Sequence, residues 1–96
     1  NAIEKKSNYA EAYNNKGISL YNLKEYNEAI ISFEKAIEIN PNYSEAYNNK
    51  GNCLYHLKEY EEAIIYFDMA IQINPNFVDA YNKKGISLNY LKEYDE

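Results

Sequence analysis

Apolar side chains recur along this chain at steps of three, four and seven residues. Ala12, Tyr13, Leu20 and Leu23 form one such run, and Tyr26, Ala29, Ile30, Phe33, Ala36 and Ile37 form the next. That spacing gathers each set onto one stripe of an α-helix, with polar residues on the remaining surface, and does not fit the strict alternation of a strand. It predicts a first helix over 10–23, a turn at Lys24–Glu25 and a second helix over 26–39, together a helical hairpin. The stop is explicit: Pro41 has no amide proton and a fixed φ, and Asn40 and Asn42 beside it offer turn chemistry.

The pattern then repeats. Glycines stand at Gly17, Gly51 and Gly85 and prolines at Pro41 and Pro75, so every interval is 34 residues. Residues 10–43 and 44–77 are identical at 24 of 34 positions, and Glu-Ala-Tyr-Asn-Asn-Lys-Gly occurs in both. A third copy opens at Val78 and is about half complete at Glu96. Ala2, Ile3, Asn8 and Tyr9 match Ala36, Ile37, Asn42 and Tyr43. The expected organisation is the tail of an earlier second helix and its turn over 1–9, complete repeats over 10–43 and 44–77, and a first helix with the start of a second over 78–96. Without an initiator Met, the sequence reads as a piece cut within repeats at both ends.

The second copy presents Tyr47, Gly51, Leu54, Tyr60, Ala63, Phe67, Ala70 and Pro75. The first presents Tyr13, Gly17, Leu20, Tyr26, Ala29, Phe33, Ala36 and Pro41, and the third Tyr81, Gly85, Leu88 and Tyr94. This succession resembles the signature of the tetratricopeptide repeat over nearly the whole chain. The resemblance implies an all-α, right-handed superhelical solenoid of 34-residue antiparallel helical hairpins, with the first helix of each hairpin lining a concave groove. The departures are Tyr in place of the usual Trp, and Lys16, Lys50 and Lys84 before each glycine where the family usually has Leu. A lysine stem there is expected to lie over apolar surface with its ammonium in water and looser packing around it. A mid-helix glycine costs about 0.5–1 kcal/mol against alanine, so a close approach of the two helix backbones is expected, with Ala29 and Ala63 opposite. Phe33, Phe67, Tyr26 and Tyr60 are expected to fill the space between hairpins.

The resemblance also points to groove residues. They are Glu11, Asn14, Asn15, Ile18, Tyr21 and Asn22 in the first copy, and Glu45, Asn48, Asn49, Asn52, Tyr55 and His56 in the second. The third adds Asp79, Asn82, Lys83, Ile86, Asn89 and Tyr90. Steps of three and four put each set on one helix face. Asn14, Asn48 and Asn82, with Asn15 and Asn49, form a row of amides beside an acidic row of Glu11, Glu45 and Asp79. An amide both donates and accepts, so such a row suits the backbone of an extended peptide whatever its sequence. The alternative is that these amides cap or solvate the groove in an Asn-rich composition. Some family members clamp the acidic C-terminal tails of heat-shock chaperones. The corresponding slots here hold Asn14, Ile18, Asn49, Asp79 and Lys83, so the clamp is largely absent. With the acidic row alongside, an acidic tail is not expected and a neutral or basic peptide is. The expected function is a noncatalytic protein-interaction module. Two others remain open: end-to-end self-association through an exposed apolar edge around Leu88 and Leu91, and a substrate-recruiting appendage of a larger enzyme, as in O-GlcNAc transferases.

Composition narrows the partners further. Ten basic residues, all lysine, face 15 acidic ones for a net charge of −5, so no guanidinium fork is present to grip phosphate and nucleic acid is not expected. Mean hydropathy is −0.72, and no apolar run approaches the ~18 residues of a membrane span. Cys53 has no second cysteine to bond with and, with the lone His56, cannot make a zinc site; it fits a reducing, cytoplasmic setting without requiring one. Cys53 aligns with Ser19 and Ser87 and is expected to be a structural packing residue, and His56 an exposed one. Glu59, Glu61 and Glu62 suit the start of a helix. No nucleophile, base and orienting group recur together, so neither catalysis nor a cofactor is expected.

Overall fold

Pro41 and Pro75 punctuate the chain as their chemistry requires. In a computed structural model, which describes the backbone of residues 2–95 and the side chains of 5–92, five helices form. They are α1 (Ala2–Asn22), α2 (Tyr26–Ile39), α3 (Ser44–His56), α4 (Tyr60–Ile73) and α5 (Val78–Asp95), with no strand among the described residues. Each second helix ends at an extended Asn, Asn40 or Asn74, whose amide still donates to Ala36 or Ala70. The Asn side chain then closes the turn across the proline, Asn40 Oδ1 accepting from the Asn42 amide and Asn74 Oδ1 from the Asn76 amide at 3.2 Å.

Inside each hairpin the turn is built on a left-handed lysine, Lys24 (φ 64°) and Lys58 (φ 66°). The Lys24 and Glu25 amides donate back to the Tyr21 and Leu20 carbonyls at 2.9 Å, and the Lys58 and Glu59 amides to Tyr55 and Leu54 at 3.0 and 2.9 Å. These paired bonds satisfy the last helical carbonyls and hold a conformation that costs a non-glycine residue about 1 kcal/mol.

Two expected breaks do not occur. Asn8 and Tyr9 lie within α1, which runs unbroken from Ala2 to Asn22, so the expected turn before residue 10 is helix instead. Ser7 stands where Pro41 and Pro75 stand in the later copies, and without proline nothing stops the helix. Likewise Lys92, aligned with Lys24 and Lys58, stays helical in α5. The side chains of Ala2, Ile3 and Tyr94 lie outside the described residues.

The close approach at the glycines is between helix and ring. A Cβ on Gly17 would lie 2.5 Å from Phe33 Cε1, and one on Gly51 2.6 Å from Phe67 Cε1. The residues opposite the glycines are thus the phenylalanines, not Ala29 and Ala63, because only a ring reaches from one helix axis to the other's backbone. Phe33 and Phe67 are fully buried within their hairpins. The next first helix seals them: Cys53 packs on Ala29 and Phe33, and Ala80 on Phe67 and Ala70. Ala46 and Ala80 are buried in this way, while Ala12, with no hairpin before it among the described residues, is exposed.

Successive first helices approach closely, α1 to α3 and α3 to α5, whereas no Cα of α2 comes within 8 Å of one in α4. The stack therefore bends with α1, α3 and α5 on its inner side. Its dimensions are 53 × 29 × 17 Å.

Candidate functional site

The inner face is built from one stripe of each first helix. Glu11, Asn15, Ile18 and Asn22 are exposed on α1, and Glu45 on α3. Asp79, Asn82, Ile86, Asn89 and Tyr90 are exposed on α5. Tyr21, Asn49, Asn52, Tyr55 and Lys83 are half-buried. Two of the three ladder amides are elsewhere. Asn14 is 5% and Asn48 4% exposed. Their position faces the following first helix, where Asn49 Nδ2 donates to Asn14 Oδ1 at 3.0 Å and Asn48 Nδ2 to Asp79 Oδ2 at 2.8 Å. These amides join the helices of the stack, and only Asn82 of that row faces solvent. The acidic row is also partly engaged, since Asp79 accepts from Asn48 and Glu45 Oε1 from the Ser44 hydroxyl at 3.0 Å.

Asn52 is different. It occupies the repeat position of Ile18 and Ile86, both exposed, so one amide sits between two isoleucines along the inner face. Its Oδ1 is enclosed and has no hydrogen-bond partner, as is true of Asn48 Oδ1 one turn earlier.

An aromatic edge runs beside this face. His56 stacks on Tyr26 at 5.0 Å with ring planes 4° apart, and Tyr60 on Tyr90 at 4.9 Å and 4°. Tyr55 meets His56, Tyr60 and Tyr90 edge-on, and the Tyr21 hydroxyl lies 2.8 Å from His56 Nε2. Burial, then Lys83 and Lys24, hold the imidazole below its ordinary pKa and so keep it neutral. The signal for this stack lay in the repeat: His56 and Tyr90 share one position, and Tyr26 and Tyr60 share the one they meet.

Lys50 departs most from expectation. Its side chain is largely buried between hairpins, with the ammonium 2.8 Å from both Glu34 Oε2 and the Tyr66 hydroxyl. Burial alone would depress its pKa, but the bonds to Glu34 and Tyr66 outweigh that and raise it. The next copy repeats the device with Lys84 and Asp68 at 2.7 Å. Lysine at this position thus ties one hairpin to the preceding one. Cys53 is fully buried, and its desolvated thiol is pushed up to about 12, which suits packing and not reactivity. Among the described residues no His, Cys, Asp and Glu cluster could hold a metal, and no helix is long and apolar enough to cross a membrane.

The family model described as tetratricopeptide repeat matches residues 10–43 and 44–77. The chain belongs to the tetratricopeptide repeat (TPR) family. No curated protein matches it in sequence. Among solved structures it is similar to the Arabidopsis OM64 TPR domain, at 24% identity and a TM-score of 0.89 over 94% of this chain and 74% of that one. It is similar to the TPR2B domain of yeast Sti1, described in complex with pHsp70, at 29% identity and 0.86 over 91% and 70%. The first TPR of Spaghetti (RPAP3), bound to the HSP90 peptide SRMEEVD, superposes at 22% identity and 0.88 over 93% and 71%. The fold is a helical-hairpin solenoid used for protein interaction. Because such neighbours hold chaperone peptides, including one ending in acidic residues, the expectation that acidic tails are poor partners has no support from the fold.

Proposed function

We propose that this TPR stack is a noncatalytic module that binds an extended peptide segment along its inner face. The observation that carries this reading is the exposed stripe of the first helices, where Ile18 and Ile86 stand among the exposed amides of Asn15 and Asn82. Apolar peptide side chains cover the isoleucines while these amides pair with the peptide backbone. Asn15, Tyr21, Asn49, Tyr55, Asn82 and Lys83 border the same path. Asn14 and Asn48 support it from behind by fixing the spacing of the helices.

The test is an array of immobilised 12-residue peptides of varied charge, probed with the chain and with an Ile18→Glu/Ile86→Glu variant, and the peptide SRMEEVD measured beside it by titration calorimetry. Peptides bound by the chain and lost in the variant are the expected result. Binding that survives the variant overturns the inner-face assignment.

A further inference from the structure

On the outer side of the stack, opposite the inner face, α2 and α4 flank a furrow. No Cα of one comes within 8 Å of one in the other, and the Lys50 ammonium of α3 rises between them to Glu34 of α2 and Tyr66 of α4, at 2.8 Å from each. Glu34 and Tyr66 therefore mark the two flanks that face one another. At about 100° per residue, Met69 and Ile73 fall within about 60° of Tyr66 on α4, and Ile31 and Glu38 within about 60° of Glu34 on α2. The furrow thus lies between the two complete hairpins.

Its rim is apolar and stands in water. Ile31 is 55%, Ile65 52%, Met69 39% and Ile73 37% exposed. Ile65, Met69 and Ile73 follow one another at steps of four, a line of about 12 Å along α4, and the flexible Met thioether adapts to what it meets. The free charge beside this line has one sign. Glu38 and Glu62 are exposed, and Glu34 keeps 51% of its side chain in water although Lys50 holds it. No basic residue occurs in α4, and Lys35 of α2 turns to the opposite flank, its ammonium 5.8 Å from the centre of the Tyr13 ring.

These features select the occupant. A second copy of the chain, with a net charge of −5, would bring the same carboxylates against these, and an anionic bilayer would meet the same repulsion. Walls made of helices have no free backbone edge to pair with a strand, whereas a helix arrives with its own backbone bonded and can lay an apolar stripe along Ile65, Met69 and Ile73. We infer that the furrow between α2 and α4 is a second docking surface, which takes from a partner protein an amphipathic helix with lysine or arginine on both margins of its apolar stripe.

The probe is a fluorescein-labelled designed helix of leucine and lysine, about 18 residues long so that it spans α4, with its leucines at steps of three and four. Its fluorescence anisotropy is followed as the 96-residue chain is added. One-to-one saturable binding is expected, weakened at least tenfold by Ile65→Gln/Met69→Gln or by Glu38→Lys/Glu62→Lys in the chain, and at least tenfold weaker for a helix with glutamate in place of every lysine. These substitutions stand in water on helices that glutamine and lysine favour, so the melting temperature should stay that of the chain. The inner-face variant Ile18→Glu/Ile86→Glu should bind the probe as the chain does. No binding, binding that Ile65→Gln/Met69→Gln leaves unchanged, equal binding of the glutamate helix, or binding lost in the inner-face variant overturns the inference. So does concentration-dependent sedimentation that Ile65→Gln/Met69→Gln abolishes while the probe fails to bind, because a second copy then covers the furrow.

Discussion

Replacing Gly51 and Gly85 by alanine is the same chemical change in the same repeat position, and the structure assigns the two opposite signs. Each substitution removes the backbone freedom of a mid-helix glycine and gains about 1 kcal/mol of helix propensity. At Gly85 that gain stands alone, because the new Cβ meets nothing within 4 Å. At Gly51 the Cβ would stand 2.6 Å from Phe67 Cε1 and 2.8 Å from Cδ1. The ring has no room to retreat, being fully buried among Leu54, Ala63, Ala70 and Ala80. Overpacking of this kind costs about 1–3 kcal/mol, so Gly51→Ala should be neutral to about 2 kcal/mol destabilising while Gly85→Ala stabilises by about 1. Their separation, about 1–3 kcal/mol, is the firmer quantity because propensity cancels from it. Urea unfolding followed by far-UV circular dichroism measures it, with the curves fitted to a nearest-neighbour repeat scheme in place of a single transition. Equal shifts for the two variants would refute the account of ring against glycine. Gly17→Leu extends it: the larger side chain against Phe33 should melt the first hairpin ahead of the second.

Three more outcomes are expected. The folded thiol of Cys53 is raised to about 12 from an ordinary 9.0, so its contribution is complete below about pH 9 and is lost as pH rises toward 12, where the unfolded chain ionises first. Between about pH 8 and 10 this takes about 1.4 kcal/mol more from the native chain than from Cys53→Ser, as chemical unfolding of both at the two pH values will show. Glu34→Ala strands the buried Lys50 ammonium and should cost about 1–3 kcal/mol in unfolding free energy, more than Lys50→Leu, which removes the charge with its need for a partner. Lys58→Gly relieves a left-handed residue and should raise stability by about 1 kcal/mol, whereas Lys92→Gly, within α5, should lower it by a similar amount; thermal melts of both variants decide.

The hairpins were legible in the sequence because glycine, proline and the apolar stripe recur together, and each of these acts within a few residues. The features that could not be read were set by contacts between helices. The recurrence at Gly51 says that something comes close, but Ala63 and Phe67 recur with the same period, and only the packed helices show that the ring is the one that arrives. Lys50 looked like a solvated departure because its carboxylate partner, Glu34, sits on the preceding hairpin; the equal spacing of Lys84 and Asp68 was the available clue. Helix periodicity placed Asn14 and Asn48 with the inner-face residues, next to the exposed stripe. It did not reveal that the stripe's margin is covered by the next first helix, which turns two amides from free donors into struts.

One tetrapeptide separates local from tertiary control most directly. Leu-Lys-Glu-Tyr occurs at 23–26, 57–60 and 91–94. In the first two its lysine is left-handed and the chain reverses; in the third the helix continues through it. Identical residues cannot have different intrinsic preferences, so the reversal is selected by the helix downstream of the tetrapeptide. A second helix that buries Phe33 or Phe67 against a glycine offsets the roughly 1 kcal/mol held in the turn lysine, and where no such helix packs in the described residues the lysine stays helical. The turn is therefore a consequence of hairpin packing and not its cause.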